Sequence, residues 1–129
     1  MSLTVRDRMD PNLPLVAPTQ SASSAAAVMR DRDAGAVLVV YGDEVFGLVT
    51  DRDLAIGVIA DATDPRGALV RDACPQQLCA VAPDDPLDDA VAYMRNHDVA
   101  RVLVVEHGEP VGLLSLEDVP DAPRAVAEP

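Results

Sequence analysis

The chain repeats itself once, without a gap, at an offset of 65 residues. Residues 5–54 laid over residues 70–119 give 20 identical pairs in 50 positions, with no insertion in either copy. Val5-Arg6-Asp7 falls on Val70-Arg71-Asp72, and Val16-Ala17-Pro18 on Val81-Ala82-Pro83. Val37-Leu38-Val39-Val40 falls on Val102-Leu103-Val104-Val105, and Gly47-Leu48 on Gly112-Leu113. Asp53 matches Asp118, each preceded three residues earlier by a hydroxyl side chain, Thr50 or Ser115. A period this long lies outside coiled-coil and solenoid repeats. One copy of about 50 residues buries too little apolar surface to be safely stable alone. The two copies are therefore expected to pack as a pseudo-symmetric pair sharing a core, and a site built by one copy has a counterpart in the other.

Each copy reads as strand, helix, strand, strand, helix. Short apolar strands at 13–17 and 78–82 end in proline. Ala22, Ala25, Ala26 and Met29 then recur at helical spacing, as do Leu87, Ala90, Val91 and Met94. Asp85-Pro86 is expected to cap the second helix; the Ser-rich stretch before Ala22 opens the first, and Gly35 is expected to close it. The VLVV runs read as strands covered on both faces. Turns at Gly42-Asp43 and His107-Gly108 return the chain as strands 45–49 and 110–114. A helix over 51–60 follows in the first copy, whereas Pro120 and Pro123 stop the second. The expected division is a first repeat with N-terminal segment and linker (1–69), a second repeat (70–119) and a flexible tail (120–129).

Hydrophobic residues make up 49% of the chain and aromatic ones 2%, so Val, Leu and Ala must fill the core. A net charge of −12, with every cation except His an arginine, argues against a nucleic-acid partner. No run reaches the length of a membrane span and no apolar signal core opens the sequence; a cytoplasmic protein with no membrane partner is expected. Cys74 and Cys79 have only His97 and His107 as further soft ligands. They are expected to be ordinary thiols rather than a metal site or a disulfide.

The chemistry-bearing motif is Gly-x-x-(Thr/Ser)-x-x-Asp, GLVTDRD at 47–53 and GLLSLED at 112–118. Two readings stand side by side. A hydroxyl followed three residues on by an acid is a helix capping box. The same junction also offers unpaired amides and a hydroxyl suited to phosphate, and a carboxylate able to accept both hydroxyls of a ribose.

VRDRM and VRDAC opening the copies, VAPTQS and VAPDDP, the AVLVV and RVLVV strands, GLVTDRDLA and GLLSLEDV occur in this order across residues 5–119. Together they resemble a tandem pair of cystathionine-β-synthase (CBS) domains, a Bateman module, of the stand-alone bacterial type. The resemblance implies an α/β (α+β) fold, two pseudo-twofold-related β-α-β-β-α repeats packed through their sheets, and a homodimer of such pairs. It implies an adenosyl ligand (AMP, ADP, ATP or S-adenosylmethionine) in clefts between the repeats, with no cofactor required. Thr50 and Ser115 would meet phosphate, Asp53 and Asp118 would hold ribose, and Val16 and Val81 would line an adenine slot. Arg101 stands where such proteins often place a basic residue that reaches phosphate, while its first-copy counterpart is Ala36. Arg52 is matched by Glu117, so the two sites are expected to differ chemically. The implied function is regulatory: a ligand sensor acting through dimer geometry or a separate protein effector. The competing reading is a dimerisation or interaction module without ligand. No nucleophile–base pair is recognisable, so an enzyme is not expected.

Overall fold

The computed structural model describes residues 3–60 and 63–119; the expected tail at 120–129 lies outside them. In the first copy the elements are β1 (Leu15–Val16), α1 (Ala22–Arg32), β2 (Ala36–Tyr41), β3 (Glu44–Thr50) and α2 (Asp51–Leu54), which runs on as a π-helical stretch, Ala55–Ile59. The second contains β4 (Ala80–Val81), α3 (Leu87–Asn96), β5 (Arg101–Glu106), β6 (Glu109–Ser115) and a single 3-10 turn, Leu116–Asp118. Each set makes a three-stranded sheet, in the orders β1-β2-β3 and β4-β5-β6, with the middle strand parallel to the first and antiparallel to the third. The α/β expectation holds.

The repeat extends to backbone detail. Val39 pairs with Gly47 and Val40 with Val45, leaving Phe46 as an extra residue; Val104, Gly112, Val105 and Pro110 repeat the pattern around Val111. Such a bulge sharpens the strand twist at one point. The hairpin turns are not identical: His107 and Gly108 both have positive φ, whereas in the first copy Gly42 does and Asp43 does not. These are the patterns of type I′ and type II′ turns respectively. Helix α1 ends on Asp33, in the left-handed region at φ 51°, and Asp98 takes the same conformation at φ 53°. The expected stop at Gly35 is thus supplied two residues earlier by an aspartate, a residue that tolerates this conformation. Asp85 does not cap α3 either; its carboxylate accepts from the Ala82 N–H at 2.9 Å and closes the preceding turn, leaving Pro86 at the cap position.

The packing does not follow the sequence repeat. One unit joins the segment ending at Pro11 to the chain from Cys79 onward, and the other is Asn12–Leu78. The segment leading into each copy is thus handed to the other. The Val5 N–H donates to the Asp85 carbonyl at 3.0 Å and the Arg6 N–H to the Pro83 carbonyl at 2.8 Å. Sixty-five residues on, Val70 donates to Gln20 at 2.8 Å and Arg71 to Pro18 at 3.3 Å. The first amide of each long helix, otherwise an orphan donor, is satisfied by the same segments: Leu87 donates to Leu3 and Ala22 to Ala68, at 2.9 and 2.8 Å. Short 3-10 turns, Val5–Asp7 and Val70–Ala73, fix each strap.

Burial follows the straps. Val5 is 0% exposed in a cluster with Leu87, Ala90, Met94, Val102 and Leu114; Val70 is 0% exposed in one with Ala22, Ala25, Val37, Val49 and Val58. Each unit therefore has its own core, keyed by a valine from the segment that precedes the other copy. The boundary expected at 69/70 marks the repeat, while the chain passes between units at 11/12 and at 78/79.

The straps also explain the paired glycines. Asp10 exchanges two backbone hydrogen bonds with Leu113, both 2.8 Å, and its carbonyl oxygen lies 2.7 Å from where a Cβ on Gly112 would stand. At Gly47 the obstruction is the Cys74 side chain. Replacing Gly112 by Ala is expected to cost about 1–3 kcal/mol, because a backbone must move. Val5→Ala is expected to cost about 2 kcal/mol from lost burial and the hole left behind. Urea denaturation of the full chain reads both, and a neutral Val5→Ala would mean that the strap is not part of the core.

Candidate functional site

Each third strand ends at a turn whose first amide is tied to the residue before the middle strand. Asp51 donates to the Gly35 carbonyl and Leu116 to the Ala100 carbonyl, each at 3.0 Å. This equivalence sets Thr50 and Ser115 at matching places, with Ala36 opposite Thr50 in the ladder and Arg101 opposite Ser115. From there the two junctions diverge.

In the first, the capping box is complete. The Thr50 hydroxyl accepts from the Asp53 N–H at 3.1 Å, and the Asp53 carboxylate accepts from the Thr50 N–H at 2.8 Å. The box forms because the chain continues as a helix anchored by buried Leu54 and Val58, which aims the third amide back at the hydroxyl. Asp53 is half-buried; Arg52 is exposed and its N–H donates to the Asp51 carboxylate at 2.8 Å. Burial, and then the Asp53 charge, push the nearby Cys74 thiol above its ordinary value, which keeps it a poor nucleophile at neutral pH.

In the second, the box is absent. A single 3-10 turn follows Ser115, whose side chain makes no capping hydrogen bond although the residue is only 4% exposed. Arg101, with its side chain 15% exposed, reaches Glu117 at 3.3 Å. Asp118 is exposed, yet its carboxyl is held above the usual carboxylate range. Lost solvation is the leading cause, followed by Glu117 and Asp10, with Arg101 opposing. Four groups thus gather here: a buried hydroxyl, a guanidinium and two carboxylates, and the charge of Asp10, whose strap is bridged to Leu113, bears on Asp118. Asp10 escapes a reading of the sequence because a strap placed with its own repeat lies elsewhere; its repeat counterpart is Pro75, which has neither charge nor N–H.

Val16 is buried in the core of its unit, and Val81 is half-buried against the core of the other. Both therefore have packing roles. His97 lies exposed at the end of α3, its ring 4.2 Å from that of Tyr93, and His107 sits in the hairpin turn. Among the described residues Cys74 and Cys79 are free thiols, no group of three His, Cys, Asp or Glu is placed to hold a metal ion, and no helix is long and apolar enough to cross a membrane.

The contrast between the junctions is measurable without ligand. Thr50→Ala is expected to cost about 1 kcal/mol as a lost cap, and Ser115→Ala much less. Asp118→Asn is expected to stabilise the protein at neutral pH. A carboxyl whose folded value is raised favours the folded state below its ordinary value of 3.8, and that contribution is lost as pH rises through the raised value. The gain from Asp118→Asn should therefore vanish on acidification below 3.8. Thermal melts across pH check both expectations, and a destabilising Asp118→Asn at neutral pH would contradict the second.

Comparison with known proteins places this geometry. The model of the CBS domain matches twice, at residues 5–59 and 70–123. The CBS domain-containing protein YhcV of Bacillus subtilis is 30% identical over 116 residues, covering 90% of this chain and 82% of that protein. The crystal structure of an uncharacterized conserved protein from Pyrococcus horikoshii superposes with a TM-score of 0.87 at 26% identity, covering 100% of this chain and 98% of that one. Hypoxic Response Protein I, solved with two coordinated zinc ions, gives a TM-score of 0.73 at 28% identity, covering 91% and 96%; a protein named Hypoxic response protein 1 from Mycobacterium tuberculosis is 28% identical over 117 residues, 90% of this chain and 82% of that one. With two matched domains spanning most of its length, the chain belongs to the CBS-domain family.

Proposed function

We propose that this CBS pair is a regulatory module that takes an adenosyl ligand (AMP, ADP, ATP or S-adenosylmethionine) at its strand-end junctions. The observation that supports this most directly is the second junction. Ser115, 4% exposed, does not spend its hydroxyl on capping the turn that follows it, as Thr50 does. An aspartate whose charged form is disfavoured stands three residues on. A carboxyl whose charged form is disfavoured is the kind of group that gathers where ligands bind. A ribose diol suits the carboxylate and a hydrogen-bonding group suits the hydroxyl. The zinc of Hypoxic Response Protein I is not carried over, because the described donor set does not fit it.

The signal would pass through self-association or a protein effector. A ligand shifts such an equilibrium only by binding its two states unequally. The helix after β3 leaves Ile56 and Ile59 exposed at 54% and 69%, and the first hairpin leaves Tyr41 and Phe46 exposed at 74% and 53%. Large exposed apolar groups of this kind favour a protein partner. They are also what supports the competing reading, a dimerisation module without ligand.

Thermal unfolding in the presence of each adenosyl compound separates the two. Ligand at about 100 times its dissociation constant should stabilise the fold by about 2.7 kcal/mol. No shift with any of them, together with a stable dimer in sedimentation, would favour the module without ligand.

A further inference from the structure

We infer that Glu117 is a latch on Arg101: its carboxylate holds the place on the guanidinium that the phosphate of an adenosyl ligand would take, and so lowers the preference of the second junction for phosphorylated compounds. The inference rests on the adenosyl reading above and adds the group that a ligand must displace.

The latch joins two side chains of unequal burial. Arg101 opens β5 opposite Ser115, at the junction itself, and its side chain is 15% exposed. Glu117 lies two residues beyond Ser115 in the 3-10 turn, and its side chain is 72% exposed. Its carboxylate nevertheless accepts a hydrogen bond from Arg101 Nη2 at 3.3 Å. A carboxylate largely in water that touches a guanidinium largely out of it marks an open approach from solvent to that guanidinium. An anion carried by a ligand can use the same approach. Release costs the two partners little. Glu117 swings back into water it has hardly left, and an ion pair with so exposed a member is weak. Arg101 stays seated through its burial and through a further interaction of its own, while the bond to Glu117 occupies one of its five N–H groups. A guanidinium takes phosphate as readily as carboxylate, commonly through two parallel bonds; the bond to Glu117 is single. The first junction lacks both parts, since Ala36 matches Arg101 and Arg52 matches Glu117. The latch belongs to the second junction alone.

Adenosine and AMP differ by the phosphate alone, so calorimetric titration of the full chain with both tests this. The proteins compared are wild type, Glu117→Gln, Arg101→Gln and the double variant. Glu117→Gln should raise the ratio of AMP to adenosine affinity about threefold to fivefold, the upper worth of an exposed ion pair. In the Arg101→Gln background the same substitution should change that ratio far less, because the pair it breaks is already gone. A ratio that Glu117→Gln leaves unchanged or lowers overturns the latch while the adenosyl reading stands. So does a ratio that rises equally with and without Arg101. Should Arg101→Gln not fold, the comparison of wild type with Glu117→Gln decides by itself. If neither compound binds any of these proteins, the adenosyl reading falls and the latch falls with it.

Discussion

Two valines from the leading segments hold the structure to its plan. Val5 and Val70 are the residues through which each repeat borrows its last piece of core from the sequence before the other. The accompanying backbone bonds to Asp85 and Gln20 leave no freedom in register. A short αβ unit of this size has an open helix end and an uncovered sheet edge. The strap satisfies the first amide of the helix and fills the gap beside it. Because the straps are exchanged, neither repeat is complete without the leading segment of the other. The same exchange brings Asp10 to β6 and Cys74 to Gly47, so the surroundings of both junctions are decided by residues distant in sequence.

The length of helix downstream of each junction decides whether its polar groups are used internally. After Thr50 the chain continues as helix, anchored by Leu54 and Val58, and the hydroxyl and carboxylate cap it. After Ser115 there is one 3-10 turn before Val119, and Pro120 comes next in the sequence. Without a further helical turn the third amide is not offered to the hydroxyl, and the same pair of residue types is left uncapped. One motif thus caps a helix in one repeat and does not in the other. This asymmetry arises from the residues downstream of the motif, not from the motif.

Much of the fold was legible because duplication supplied its own control. A feature seen at one position and again 65 residues later, such as the VLVV strands or the two hairpin turns, carries twice the weight of a single occurrence, and the order of elements came out as read. The helix ends were less legible. Asp33 takes the left-handed stop that Gly35 was expected to supply for α1, Asp98 repeats it in the second copy, and Asp85 closes a turn instead of capping α3. These choices depend on hydrogen bonds within one or two residues of each other, where aspartate serves a cap, a turn or a left-handed stop equally well. The strap exchange was not legible, since periodicity reveals that a segment is repeated and not which copy it packs against. For that reason Asp10 was invisible as part of a junction, whereas Ser115, Asp118 and Arg101 could be singled out from the motif and its neighbours.

The exchanged strap is tested most directly by hydrogen exchange followed residue by residue on the full chain. If residues 3–10 belong to the core of the second unit, the amides of Val5, Arg6 and Asp10 should exchange as slowly as that of Leu103, which is bonded to Cys79 and not to the strap, since all open together. Exchange of Val5, Arg6 and Asp10 at the rate of an unstructured terminus, with Leu103 still protected, would contradict the account.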